Sequence, residues 1–574
     1  MKPKEAVFLG VAVLLAGVAV FFAYVPAPHT GGDNAGYVSL AYSLLTEHRY
    51  TELFDPTRPP HTKYPPVFPL LLAGVMLLGA RTWASLKIVA ALSTVGVVAA
   101  TYGFARRRLQ ALGALAVAGV VAFSYAVVYY SHWILSDPTF VFFTLLALWL
   151  LDREDHARVE SAGDGRSTRG VGGPEPLLGL GGAGLAGLIF VTLAYFTRSA
   201  GLPLVVAVFA WLALRRRWRG LGVAGVIVAL PAVLWWLRGR VGGTARYGTE
   251  FWLVDPYQPG LGRIGPGDLV VRVMGNAVDY VGTHVPAGIV GGKGPAVTLL
   301  GVVLCAAGGA GWFWRTRRRA GPVELFFPLY TGLILLWPRV WSGDRFALPL
   351  IPLLLVYAAA ALGASFRRAS TKAVTPLAAV VVLLVFLPSL GSWVRAVGQS
   401  RACAAMVERS GPFSCYGPRF TEYAEAAAWA GAHLPAESGV LTRKPRMFYV
   451  LSGLPSRTFP FDTRAAAHLN LADSLGVRFE LMDQVDNLAL RYVGGALQDQ
   501  PGAYCSVRGF GEGPGIGTQL LGILPPERRV TGRADPEEGV RIAPCPDDYL
   551  AASPGGWSYA PRSMRIPLLD GLDR

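Results

Sequence analysis

Long apolar runs alternate with short polar, arginine-rich links over the first two-thirds of the chain. A membrane-crossing helix needs about 20 mostly apolar residues, or about 17 at the short end. Runs of this kind are predicted at 6–25, 83–105, 109–130, 138–151, 177–196, 200–214, 221–237, 295–314, 322–338, 346–365 and 373–392. That makes about 11 transmembrane helices. The apolar stretch 67–79 is shorter and proline-flanked, and reads as an interfacial or re-entrant helix. The loop 152–176 is polar and Gly-rich and reads as flexible. After residue 392 the pattern changes to short helix-like and strand-like pieces. Helices are expected at 422–432, 465–475 and 488–498, and strands at 439–442, 479–483, 504–507 and 519–524. The expected fold is an α-helical polytopic membrane domain over 1–392, followed by a small α/β domain over 393–574.

Composition agrees with this division. Charged residues are only 16% and hydrophobic residues 52% of the 574 positions. Formal net charge is nevertheless +16. In a soluble chain such an excess suggests nucleic-acid binding. Here it lies largely in short links, such as Arg106–Arg108, Arg215–Arg217, Arg317–Arg319 and Arg367–Arg368. Basic links of this kind stay in the cytoplasm. All fall on the N-terminal side if 67–79 does not cross. The expected topology is a multi-pass cytoplasmic-membrane protein with its N-terminus inside and residues 393–574 outside. No nucleic-acid partner is expected. Four of the five cysteines, Cys403, Cys415, Cys505 and Cys545, fall in the expected external domain, where disulfides are plausible. Three pairings are open, and the local one, Cys403–Cys415 with Cys505–Cys545, is the expectation.

Ionisable residues are nearly absent from mid-membrane, which argues against an ion-coupled carrier. Polar groups gather at the outer span ends. Asp33 follows the first span, with Tyr37 one helical turn on. Asp137 lies in a very short link with Pro138 behind it. Either aspartate could simply cap a helix. Tyr64-Pro65-Pro66 precedes the apolar stretch, with His61 and Lys63 just before. Arg198 lies between two spans, and Arg339, Asp344 and Arg345 precede a late span. Arg345 could merely snorkel to the interface.

Taken in order, these segments resemble the GT-C membrane glycosyltransferases, notably the protein O-mannosyltransferase and aminoarabinose-transferase-like family. The resemblance rests on Asp33 with Tyr37, Tyr64-Pro65-Pro66 through Ala73, Ser136-Asp137, Thr197-Arg198-Ser199-Ala200-Gly201, and Arg345-Phe346 with Pro349 and Pro352. It covers roughly 6–390. The chain departs from the pattern at Asp137, where Glu is common, and has no acidic residue directly preceding Tyr64-Pro65-Pro66.

The resemblance implies transfer of a sugar from a polyprenyl-phosphate donor to a lipid, protein or glycan acceptor at the outer face, with inversion. Asp33 would be the base and Asp137 its support or an acceptor-orienting group. Arg345, with Lys63, Arg339 and Arg198, would meet the donor phosphate. Tyr37, Tyr64 and His61 would contact donor or acceptor. No cofactor is required, although Asp33 and Asp137 could hold a divalent metal. A polyprenyl-linked glycan flippase is the alternative, and a receptor with a partner-binding tail is a third reading.

Overall fold

The computed structural model describes residues 3–163, 179–242, 247–366, 371–511, 517–535, 539–550 and 563–573. Arg367, Arg368 and the later part of the 152–176 loop lie outside them. Each of the eleven apolar segments carries a helix. Five are individually long and apolar enough to cross a membrane: Pro3–Phe22, Trp83–Arg106, Trp218–Arg240, Pro295–Arg318 and Val382–Ser410. Ala111–Phe123 and Tyr125–Ser131 form a sixth, bent by 55° at Ser124. Others are shorter, such as Gly182–Thr197 and Pro322–Leu336. Their inner faces share one apolar core in which small residues allow close helix approach. An added Cβ at Gly311 would stand 2.2 Å from the carbonyl of Tyr357.

Three elements differ from the sequence expectation. Helix Asp137–Gly163 runs through the first part of the presumed flexible loop. The acidic residues Asp152, Glu154 and Asp155 are bound rather than solvated. Asp152 pairs with Arg107 and Arg108, and Asp155 with Arg215, Arg217 and Arg319. Second, the stretch 238–294, between two of the apolar runs and with no helix expected in it, contains helix Pro266–Asp279, continued by a wide turn into Val285–Val290. This helix is inside-out. Arg272 and Asn276 are buried, while Val270, Val271, Met274 and Val278 are exposed. Arg272 donates to the carbonyls of Phe251 and Leu253, and Asn276 to those of Leu335 and Trp337. Polar groups satisfied inward with apolar groups outward suit a lipid surface. Third, the last apolar segment belongs to a single helix, Thr371–Ser410. The division expected at 392/393 falls inside it.

The C-terminal unit holds a five-stranded sheet: β1 (Val440–Leu441), β2 (Ser456–Arg457), β3 (Phe479–Met482), β4 (Tyr504–Phe510) and β5 (Thr518–Ile523). Its order is β2-β1-β3-β5-β4. The first three strands are parallel, and β5 runs antiparallel to β3 and β4. Helices Ala465–Leu475 and Asn487–Asp499 cover one side in a small core of their own. Sequence reading missed β2 and helix Pro445–Ser452, because both are short and the helix follows directly on the basic pair Arg443-Lys444. Cys403 is bonded to Cys415 and Cys505 to Cys545, and Cys305 is free.

The sheet unit is not a separate body. A second core joins it to the segment after the first span. Tyr37, Leu40 and Ala41 of helix Gly32–Thr46 pack there with Phe68 and Leu72 of helix Val67–Leu77. Phe448, Val450 and Leu451 enter from Pro445–Ser452. Residues 563–573 complete this core through Ile566, Leu568 and Leu569.

Candidate active site

Two helix starts bring two carboxylates together. Asp33 is in the first turn of Gly32–Thr46, and Asp137 begins Asp137–Gly163. A helix N-terminus favours negative charge at both. Neither merely caps its helix. Gly31 occupies the cap position before Asp33 and makes no side-chain cap bond. The Asp33 oxygens go elsewhere: Oδ1 accepts from the Tyr64 hydroxyl at 2.7 Å, and Oδ2 from Arg345 Nη1 at 3.0 Å.

Arg345 bridges the pair. Its Nε donates to Asp137 Oδ2 at 2.8 Å. Arg198 Nη1 reaches the same oxygen at 2.7 Å, so Asp137 is held between two guanidinium groups. Ser136 lies within 3.3 Å of Arg198 and 2.8 Å of the Tyr37 hydroxyl. Exposure separates the two acids. The Asp33 side chain is 34% exposed and that of Asp137 4%. Only Asp33 can be reached by an incoming molecule without rearrangement.

Burial alone would raise the Asp33 pKa. The Arg345 charge, the Tyr64 hydrogen bond and the Arg446 charge outweigh it and hold the carboxyl well below the usual carboxylate range. Asp33 is therefore ionised at neutral pH.

Tyr64 is held at both ends. Its backbone N–H donates to His61 Nε2 at 2.7 Å. His61 Nδ1 must then carry the ring proton, donated to Glu52 Oε1 at 2.7 Å. Burial is the main cause lowering the His61 pKa to about 4, against the raising effect of Glu52. His61 is buried and neutral, and it braces Tyr64 through the backbone N–H. The ring of Tyr37 lies 4.9 Å from those of Tyr64 and Phe68.

Of the four cations expected at a donor phosphate, two join this cluster. Lys63 instead pairs with Glu250 at 3.5 Å and sits over Trp341. Arg339 pairs with Asp279 at 2.7 Å on the inside-out helix. One basic residue was missed. Arg446, on helix Pro445–Ser452, donates to the Tyr64 hydroxyl at 2.6 Å and lies 3.8 Å from Glu52. Nothing local in the sequence marks it, since its partners lie almost four hundred residues earlier.

Among the described residues no three His, Cys, Asp or Glu side chains converge as metal ligands. Arg345 stands between Asp33 and Asp137, where a shared cation would bind.

Residues 63–156 match the family model for dolichyl-phosphate-mannose-protein mannosyltransferase. That stretch includes Tyr64 and Asp137. No curated protein matches the chain in sequence. The fold is similar to the Archaeoglobus fulgidus oligosaccharyltransferase tethered to an acceptor peptide, at TM-score 0.54 and 15% identity, over 90% of this chain and 74% of that one. The same archaeal enzyme with an inhibitory peptide and a dolichol-phosphate matches at TM-score 0.54 and 14% identity, over 89% and 74%. ArnT from Cupriavidus metallidurans bound to undecaprenyl phosphate aligns at TM-score 0.49 and 14% identity, over 90% and 97%. The chain thus shares its overall fold with the archaeal oligosaccharyltransferase and is similar, over residues 63–156, to the dolichyl-phosphate-mannose-protein mannosyltransferase family.

Proposed function

We propose that the protein transfers a sugar from a polyprenyl phosphate to an acceptor hydroxyl at the outer face of the cytoplasmic membrane, with Asp33 as base. The observation that carries this reading is an ionised, one-third exposed carboxylate fixed by a guanidinium and a phenol. The family description and the dolichol-phosphate of the archaeal enzyme support a lipid-phosphate donor.

Asp33 takes the acceptor hydroxyl proton while the acceptor oxygen bonds to the anomeric carbon. The bond from that carbon to the phosphate oxygen breaks, and the lipid phosphate leaves with the electron pair. One base and one displacement invert the anomeric centre. Arg345 uses two of its five N–H donors on the aspartates. Its remaining donors suit the departing phosphate, whose charge grows in the transition state. Asp137 and Arg198 hold Arg345 in register. The guanidinium groups of Arg345 and Arg198 already balance the two carboxylates, so we infer metal-independent transfer: chelation with EDTA is expected to leave the rate unchanged. A collapse restored by a divalent ion would refute that inference.

The direct test is transfer of labelled sugar from polyprenyl-phosphate hexoses and pentoses by purified protein. Asp33→Asn is expected to lower kcat by about 10²–10⁴-fold, the range for loss of a general base. Full transfer by Asp33→Asn would remove Asp33 from that role.

A further inference from the structure

We propose that Arg446 of the C-terminal unit is a positioning residue for this reaction, fixing the Tyr64 phenol so that its single proton points at Asp33. The argument begins with donors and acceptors. A guanidinium has no acceptor, so the Tyr64 oxygen must accept from Arg446 Nη1 at 2.6 Å. The phenol keeps one proton to give, and its other partner is Asp33 Oδ1 at 2.7 Å. The ionised carboxylate can only accept, so the phenol donates to it, and Arg446, donating to the same oxygen, holds the hydroxyl in that orientation.

The surroundings are shaped for this contact. An added Cβ at Gly36, one turn after Asp33, would lie 2.9 Å from Arg446 Cδ and 3.4 Å from the Tyr64 ring. The absent side chain makes room for the arginine. Arg446 also lies over the Tyr64 ring at 4.9 Å and the Phe54 ring at 5.4 Å. Glu52, already bonded to His61, faces its other nitrogen. Tyr64 is thus clamped at its backbone by His61 and at its hydroxyl by Arg446.

The charged and titratable groups facing Asp33 are Tyr37 on its own helix, Arg345, Tyr64, Arg446 with the adjacent Lys444, and His29. Burial lowers the His29 pKa to about 4, so it is neutral at working pH. Removing Arg446 takes away a fixed charge and frees the phenol to rotate. Both changes weaken the anionic form of Asp33.

The proposal rests on Asp33 as base, and its test separates the two claims. Protonation of Asp33 is followed by difference infrared titration of the purified protein, with Asp33→Asn identifying its carboxyl band. Donor transfer is measured over the same pH range. Arg446→Ala and Tyr64→Phe are each expected to move the Asp33 titration upward by about one pH unit, a tenfold change in protonation equilibrium, and to lower kcat at neutral pH. Donor KM should stay near the wild-type value. The double variant should shift less than the sum of the singles, and Arg446→Lys should recover part of the shift. If Arg446→Ala does not fold, Arg446→Lys and Tyr64→Phe decide the matter. An unmoved titration in the arginine variants with a moved one in Tyr64→Phe would overturn the proposal. Additive shifts would overturn it too. Full transfer by Asp33→Asn would instead overturn the base assignment, whatever the titrations show.

Discussion

At the scale of single residues, Arg345 matters for geometry as much as charge. It reaches Asp33 through Nη1 and Asp137 through Nε. A lysine ammonium cannot reproduce that planar fork. Arg345→Ala is expected to lower kcat by roughly 10²–10³-fold, as for loss of a donor to developing charge. Arg345→Lys should recover only part. Steady-state kinetics on a fixed donor checks this, and a wild-type rate in Arg345→Ala would sink the assignment. These residues were legible in the sequence because each stands in a short local motif at a span end. Their alternative role as helix caps was equally consistent with the sequence. Only the positions of Tyr64 and Arg345 decide against it, and those depend on tertiary packing.

At the scale of elements, helix Asp137–Gly163 is pinned at its start and again past its middle. Asp137 meets Arg198 and Arg345 at one end, and Asp152 meets Arg107 and Arg108 some fifteen residues later. At 1.5 Å per residue those anchors stand about 22 Å apart. The side chains of Arg108 and Asp152 are 1% and 2% exposed. Asp152→Asn strips a buried guanidinium of one carboxylate, although Glu324 lies 3.4 Å away. Breaking a buried pair costs about 3–5 kcal/mol. The thermal unfolding midpoint in detergent is expected to fall accordingly, and an unchanged midpoint would show that Glu324 suffices. The basic links looked like plain topology signals because hydropathy treats each charge alone. The acidic partners sat in a stretch that composition marks as loop. Helix Pro266–Asp279 was missed for a related reason. Its Arg272 and Asp268 break the apolar run, yet the arginine turns inward and leaves an apolar face outside.

At the scale of the whole molecule, the membrane part and the sheet unit share a core and a site. Trp83 N–H donates to the Met564 carbonyl, Ile566 N–H to that of Arg81, and Arg81 Nε to Asp573 at 3.0 Å. A chain ending at residue 410 would expose Tyr37, Leu40, Phe68 and Leu72. Such a truncation is expected to aggregate or unfold in detergent, as size-exclusion chromatography would reveal. A monodisperse, active fragment would contradict the shared core. Fold class and most helices were readable from the sequence because hydrophobic period is a local signal. The joint between the two parts was not, because its halves are remote in the chain and individually unremarkable.

That joint also sets a clock. Asp33 and Tyr64 leave the ribosome early and wait through most of translation for Arg446, while residues 81–83 wait still longer for 563–573. A chain made only as far as the sheet unit therefore holds Asp33 and Tyr64 together without the arginine that meets the Tyr64 hydroxyl.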